Sequence, residues 1–521
     1  MPGAAAAPVA ARGRPCYLPA TMPVSPSLDE FLALSRANVG NVIPVVEELV
    51  LDITPVVAAA TVGRGPGSYL LESVAGGERW GRYSFVGFEP DVILRGRGTR
   101  FEEAAPGLSR TAEVPDAWQA LREKLAQYRP VPTKSLPRFW GGAVGYVSYD
   151  AARVFEPTVG PGRRAADSQW DFAFALGGTV LVFDGVRPTV KIVVAAHVAA
   201  EGDAEAQAAY ARAVEKIRRA ETLLHHPVNV RALTPPDLAD DTALPASSFD
   251  AAGFEAAVLR TKELIGAGDV FQIVLSQRLR TPGAGAEAFD VYRALRVLQP
   301  SPYLYFLRFP EARIAGASPE TLVRVEGRRV AVRPIAGTRL RGATPEDDAA
   351  AERSLLADPK QRAEHVMLVD LGRNDVGSVA TPGSVRVSGQ MAVERYSQVM
   401  QVVSSVEGEL AEGKDAIDVL RATFPAGRLT GAPKVRAMQI IDELEPEGRS
   451  MYGGAVGYIG FDGNLDMAIS VRTVVEQRGD YTVHVGAAIG EASEATQEYE
   501  ATANEARAGV VAIRTARAGK G

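Results

Sequence analysis

The six residues 141-GGAVGY-146 return as 453-GGAVGY-458. Glycines inside an apolar, β-branched run allow a second backbone to come close. The repetition predicts two related sheets packed face to face, with a chance match between Gly/Ala-rich hexapeptides as the plain alternative. Around the first copy lie short strand-like runs: 42-VIPVVEELVLDI, 82-RYSFVGF, 91-DVILRGRG, 179-TVLVFDG and 189-TVKIVVAAHV. Their length and Gly/Asp punctuation predict antiparallel hairpins.

Helical signals frame these runs. Ser27 is a cap residue ahead of LDEFLALSRA. Residues 202–224 place apolar side chains at helical spacing, and so does 250-DAAGFEAAVLRTKELIGAG. Residues 226–249 are rich in Pro, Ala and Asp without periodicity and read as a linker. The expected organisation is a tail over 1–26, a first region over 27–225, the linker over 226–249, and a motif-dense second region over 250–515. The first 20 residues contain no acid; a transit peptide and a disordered tail both fit, and composition favours the tail.

Composition narrows the function classes. The chain has 521 residues, 46% hydrophobic and 23% charged, with net charge -6. Acidic and basic residues are interspersed, so no basic stripe speaks for nucleic acid. No apolar run reaches the roughly 18 residues of a membrane span. The single cysteine, Cys16, rules out a disulfide framework and a cysteine metal site and suits the cytoplasm.

Site material concentrates in the second region. Glu364 in 363-AEHVMLVDLGRND-375 and Glu498 in 498-EYEATAN-504 are acids in otherwise apolar or small settings. If they converge, they suit Mg2+ holding an anionic substrate; taken singly, each also reads as a surface glutamate. In 333-RPIAGTR-339, Gly337 and Thr338 predict a tight turn with exposed backbone N–H groups and one hydroxyl, able to receive a carboxylate. A plain hairpin turn is the other reading. The loop 424-FPAGRLTGAPK-434 leads into a helix near Pro433, whose N-terminus favours anions. Arg472 ends a strand pattern and suits a bidentate carboxylate. Tyr452 adds a hydroxyl, and Gly486 in 485-VGAAIGEAS-493 permits close approach of a ligand. There is no GxxxxGK phosphate loop and no serine elbow.

These residues resemble the chorismate-utilising enzymes, most closely the anthranilate synthase component I family. The resemblance runs through 70-LLES-73, 137-PRFWGGAVGYVSYD-150, 271-FQIVLSQR-278, 299-QPSPYLYFL-307, 333-RPIAGTR-339, 363-AEHVMLVDLGRND-375, 394-ERYSQVM-400, 424-FPAGRLTGAPKVRAM-438 and 451-MYGGAVGY-458. It implies an α+β fold of antiparallel sheets in a sandwich with flanking helices. It implies chorismate as substrate, with ammonia added at C2 as the C4 hydroxyl leaves, then loss of pyruvate to give anthranilate, the first step of tryptophan biosynthesis. Mg2+ is the implied cofactor, on Glu364 and Glu498. Arg472, Tyr452 and Gly486 would receive the enolpyruvyl carboxylate, Gly337 and Thr338 would contact the ring side, and Gln272 and Ala488 stand at substrate-binding positions. His365 would orient a ligand or the leaving hydroxyl, with a structural hydrogen bond as its alternative role. Where water-adding relatives carry a lysine this chain has Gln272, and where aminodeoxychorismate-forming relatives carry one it has Ala336, so ammonia is the implied nucleophile. Glu72, Ser73, Pro302, Tyr303 and Leu304 resemble a tryptophan feedback pocket; a buried, capped strand is the other reading of LLES. With Cys16 in a tail lacking any elbow motif, ammonia must come from free solution or a separate glutamine amidotransferase subunit, anthranilate synthase component II.

The departures from the family pattern cluster at the site. Gln401 stands where the resemblance implies a histidine that helps expel pyruvate. An amide cannot exchange protons near neutral pH as imidazole does. Gln361 and Ala501 stand where carboxylates are implied beside Glu364 and Glu498, Glu505 replaces a substrate-binding lysine, Arg428 a small hydroxyl residue, and Ala488 a glycine. Three readings follow: an anthranilate synthase component I, an aminodeoxyisochorismate synthase that aminates without eliminating pyruvate, and a catalytically impaired regulatory paralogue.

Overall fold

The structure is a computed structural model that describes residues 24–73, 81–133, 136–163, 170–238, 243–395 and 399–518. Cys16, residues 1–23 of the expected tail, and Tyr396, Ser397 and Gln398 of the 394–400 motif lie outside the described residues.

The repeated hexapeptide forms neighbouring strands of one sheet. Strand β7 (Gly142–Val147) pairs antiparallel with β20 (Ala455–Gly460), and Gly145 faces Gly457 at the centre of the ladder. The expectation of one copy in each of two packed sheets is corrected: the copies are partners. The register is reciprocal, with Val144 opposite Tyr458 and Tyr146 opposite Val456. The glycines act on the outer neighbours. A Cβ on Gly145 would stand 1.9 Å from the carbonyl oxygen of Ala173, and one on Gly457 2.0 Å from that of Asp466. No side chain fits between backbones that close.

Two antiparallel sheets grow outward from such central pairs among the described residues. In the sheet holding β7 and β20, one flank continues through β8 (Phe172–Leu176), β4 (Val92–Arg97), β5 (Arg100–Ala105) and β6 (Leu108–Glu113). The other flank continues through β21 (Leu465–Ile469), β14 (Thr321–Glu326), β15 (Arg329–Val332), β18 (Val399–Glu409) and β16 (Ile335–Leu340), and β17 (Arg386–Arg395) also pairs with β18. The second sheet is centred on β2 (Ser68–Glu72) beside β12 (Tyr303–Arg308). From β2 it runs through β3 (Tyr83–Phe88), β9 (Thr179–Asp184), β10 (Val190–His197) and β1 (Val42–Leu49). From β12 it runs through β13 (Arg313–Ser318), β22 (Thr473–Gln477), β23 (Asp480–Ile489), β11 (Gln272–Pro282) and the two-residue β19 (Gly431–Ala432).

The sheets pack face to face through one apolar layer, where Tyr69, Phe85, Val182 and Leu307 of one meet Val144, Tyr146, Val456 and Tyr458 of the other. Helices cover the outer faces. Asp203–His225 lays Ala206, Ala209, Ala213, Ile217, Ala220 and Leu224 inward at three- and four-residue steps. Ala495–Ala518 covers the second half of the same sheet. Both sheets draw strands from the 27–225 and 250–515 regions, and the described residues of 226–249 carry no helix or strand beyond an isolated bridge from Ser247 to Leu279.

Candidate functional site

The candidate residues gather at the end of the second half where β11, β16, β18 and β23 meet loops and helices. Gly486 lies on β23 opposite Ser276 of β11. A Cβ at Gly486 would stand 2.5 Å from the hydroxyl oxygen of Tyr452, so only glycine lets the phenol lie against this strand. Tyr452 is buried and stacks on His484, with ring centroids 4.5 Å apart and planes at 14°. Beneath them Ser276 Oγ donates to Glu445 Oε1 at 2.8 Å and lies 2.9 Å from His484 Nε2. Its single proton is spent on Glu445, so His484 Nε2–H is the donor to Ser276. Arg449 is buried between Glu445 (Nε to Oε2, 2.9 Å), the Leu429 carbonyl (2.6 Å) and the Val274 carbonyl (2.6 Å). Burial holds the His484 imidazole well below its usual range, and the Arg278 and Arg449 charges push it further. Burial likewise lifts the Tyr452 phenol, aided by Glu505. The stack is therefore neutral, and Tyr452 is available as a hydrogen-bond donor.

A second group lies on β16 and β18. The expected tight turn at 333–339 is instead an edge strand: Ile335–Leu340 pairs with β18, and the register slips between Ala336 and Thr338. Gly337 makes the bulge with a φ of 73°, which glycine adopts readily. A Cβ there would press on Leu355 at 2.8 Å and on the Gln361 amide oxygen at 3.0 Å. The bulge turns Thr338 toward Gln401, whose Nε2 donates to Thr338 Oγ1 at 3.1 Å. His365 is buried on the helix Pro359–Gly377, with Nε2 2.7 Å from Ser404 Oγ. That oxygen also accepts the Met391 N–H at 2.9 Å, so the contact ties the helix to β17 and β18. Burial lowers the His365 pKa, leaving it neutral at neutral pH.

A cleft of about 880 Å³ opens beside this group, lined by Gln272, Glu364, His365, Met391 and the 490–492 loop. Gln272 begins β11, and Ala488 faces Val274 near the end of β23. Arg472 does not end a strand. It occupies a left-handed backbone position, φ 49°, between β21 and β22, an uncommon place for a long side chain.

The charged residues form a chain. Arg428 Nε donates to Glu320 Oε1 at 2.6 Å, and Nη1 donates to the Ile335 carbonyl at 3.0 Å. The same Nη1 stands 3.6 Å from Glu364 Oε1. Arg472 Nε is 3.9 Å from Glu505 Oε1. Glu320 holds the Arg428 guanidinium above its ordinary value, with smaller contributions from Glu364 and Glu505. Burial raises the Glu505 carboxyl, opposed by Arg472 and Arg428.

The donor set fits Mg2+ poorly. Glu364 already faces a guanidinium, and Gln361, one turn earlier, directs its amide oxygen at the Gly337 bulge. Glu498 sits in the first turn of the Ala495–Ala518 helix. Among those residues no group of three His, Cys, Asp or Glu could hold a metal ion.

The suspected effector residues do come together. Leu304 pairs with Glu72 across β12 and β2. Glu72, Ser73, Pro302, Tyr303 and Leu304 line a cavity of about 50 Å³ together with Arg138, Arg324 and Asp466. Tyr303 Oη donates to Asp466 Oδ1 at 2.8 Å and accepts from Arg324 at 3.2 Å. Burial, with Asp466 beside it, pushes this phenol up to about 12. The Glu72 carboxylate is held by the Tyr292 hydroxyl and by Arg296 Nε, the latter at 3.1 Å.

Glu320, Ser404, Ser276, His484, Glu445 and Arg449 escaped the sequence reading. The i, i+4 spacing of Glu445 and Arg449 was the one available signal, and it looks like any surface pair.

Similarity to known proteins runs along most of the chain. Residues 70–509 match the sequence model of chorismate binding enzymes. Anthranilate synthase component 1 of Aquifex aeolicus is 44% identical over 492 residues, covering 94% of this chain and 98% of that one. The Pseudomonas putida protein of the same name is 43% identical, covering 92% and 97%. The crystal structure of anthranilate synthase component I from Streptococcus pneumoniae superposes with a TM-score of 0.69 at 34% identity, covering 82% of this chain and 91% of that one. The menaquinone-specific isochorismate synthase of Escherichia coli shares the fold at a TM-score of 0.64 and 16% identity, over 94% of this chain and 98% of that one.

Proposed function

The chain belongs to the chorismate binding enzyme family, and we propose that it works as an anthranilate synthase component I, converting chorismate and ammonia to anthranilate and pyruvate. The observation that carries the reading is the neutral Tyr452–Gly486 pair set on a fully buried Ser276–Glu445–Arg449 support. In this reading Tyr452, Arg472 and the Gly486 backbone receive the enolpyruvyl carboxylate. Thr338 and Gly337 meet the ring, Gln272 and Ala488 border it, and His365 keeps the helix carrying Glu364 in place. Ammonia is supplied by a glutamine amidotransferase subunit, because the lone Cys16 has no elbow to act as a glutaminase nucleophile. Tryptophan is the proposed effector at the Glu72–Tyr303 cavity, which both regions line; catalysis belongs to 250–515, and the cytoplasm is the proposed place of action. The Mg2+ expected on Glu364 and Glu498 carries no step of this reading, because the Glu364 carboxylate already faces the Arg428 guanidinium.

One observation favours a second reading. Gln401 is engaged with Thr338 and offers an amide where the departure of pyruvate calls for proton exchange. Amination would survive this, and the product would be an aminated adduct that keeps its pyruvyl group. Incubation with chorismate and ammonium at mildly alkaline pH separates the readings. Fluorescent anthranilate with free pyruvate supports the first, the heavier adduct by mass spectrometry supports the second, and unchanged chorismate defeats both.

A further inference from the structure

We infer that Arg428, rather than a divalent cation, receives the second carboxylate of a dicarboxylate ligand at this site, so that ligand binding does not require metal. The inference rests on the chorismate reading above and names the group that makes such binding work.

Arg428 belongs to the short helix Gly427–Thr430, which follows directly on the buried Phe424–Ala426 segment. Its guanidinium is fixed on two sides, by Glu320 through Nε and by the Ile335 carbonyl through Nη1. Nη2 makes no hydrogen bond among the described residues, and a third of the side chain remains exposed. A planar guanidinium anchored in this way presents its free edge in one orientation, which suits a carboxylate. Glu364, on the cleft wall, stands 3.6 Å from the same group. A cation bound to Glu364 would therefore sit against a fixed positive charge that Glu320 holds in place. Glu364 thus shares its carboxylate with the guanidinium, and the edge of Arg428 that makes no hydrogen bond has a carboxylate as its complementary guest. The second cation of the site, Arg472, is loosely held at 3.9 Å from Glu505, and is the natural receiver of the ligand's other carboxylate.

The test is calorimetric titration of the full chain with chorismate, once in EDTA and once with millimolar Mg2+. Equal affinity, within about twofold, is expected. Arg428→Thr is expected to weaken binding in EDTA by on the order of 10–100-fold, the range for a lost charge-assisted hydrogen bond. Arg428→Lys, which keeps the charge but loses the fork, should lose less. Thermal melts of each variant check that the fold is intact. Manganese titration followed by electron paramagnetic resonance reads the metal directly. The wild-type chain should show no tight site, and the triple variant Arg428→Thr, Gln361→Glu, Ala501→Glu should gain one. Chorismate binding that appears only with Mg2+, or that is untouched in folded Arg428→Thr, overturns the inference alone. Absence of chorismate binding under both conditions overturns it together with the functional reading on which it rests.

Discussion

The two halves of the chain thread the same path. In the first half the strand orders are β2-β3-β9-β10-β1 and β7-β8-β4-β5-β6, and in the second β12-β13-β22-β23-β11 and β20-β21-β14-β15-β18. With β16, β17 and β19 set aside, each strand of one half has its counterpart in the other. Helices correspond as well: Pro55–Val62 with Ala288–Leu298, Ala117–Ala126 with Ala416–Thr423, and Asp203–His225 with Ala495–Ala518. The difference lies in what is inserted. Between β5 and β6 the first half has a two-residue turn, whereas between β15 and β18 the second half carries β16, two helices and β17. A second insertion, the helices Gly427–Thr430 and Lys434–Leu444, precedes β20. Thr338, Glu364, His365, Gln401 and Arg428 all lie in or beside these insertions. A scaffold shared by both halves supplies the shape, and the candidate site residues just named lie in or beside the second half's insertions.

The sharpest way to break this comparison is to remove the support under the elaborated half. Arg449→Met leaves Glu445 buried and unpaired, and should cost about 3–5 kcal/mol in chemical denaturation. Equal stability would mean the support is dispensable. Comparable in size but confined to chemistry is Gln401→His. It returns an imidazole beside Thr338 and should speed pyruvate release by about 10²-fold or more in single-turnover assays without changing the melting temperature much. No change in rate would remove Gln401 from the reaction. A smaller effect addresses the seam. Gly457→Ala drives a Cβ toward the Asp466 carbonyl and should cost about 1–3 kcal/mol, read as a fall in melting temperature. Gly98→Ala, at a left-handed turn with open space around it, provides the control for backbone strain without a clash. The smallest effect is a pH profile. The folded carboxyl of Glu505 lies above its ordinary 4.5, so the native state holds that proton more tightly than the unfolded chain. Its contribution is fully present below that ordinary value and is lost as pH rises through the folded value. In melts across this window Glu505→Gln should hold its stability as the wild type declines; parallel profiles would contradict the assignment.

Much of this was readable in the residues. The Gly-Ala-Val-Gly-Tyr repeat announced strands of close approach, and residues 71–73 and 302–304 line one cavity. The pairing of the two repeats was not readable, because identity between two segments says that they are alike and not whether they are partners. The 333–339 segment read as a turn because Gly337 allows positive φ; a bulge makes the same demand, and only the pairing with β18 distinguishes them. Arg472 gave no sign of its left-handed backbone, which a sequence assigns to glycine or asparagine first. Glu320 and Ser404 acquire meaning only through Arg428 and His365, partners 108 and 39 residues away.

The reciprocal register across the centre, Val144 against Tyr458 and Tyr146 against Val456, is the arithmetic of an isologous dimer interface, written here within a single polypeptide. The 226–249 connector is then a tether that fixes the effective concentration of one half about the other. Severed in that connector, the two pieces would have to assemble as a heterodimer, and the melting temperature of the pair would rise with protein concentration more steeply than that of the intact chain.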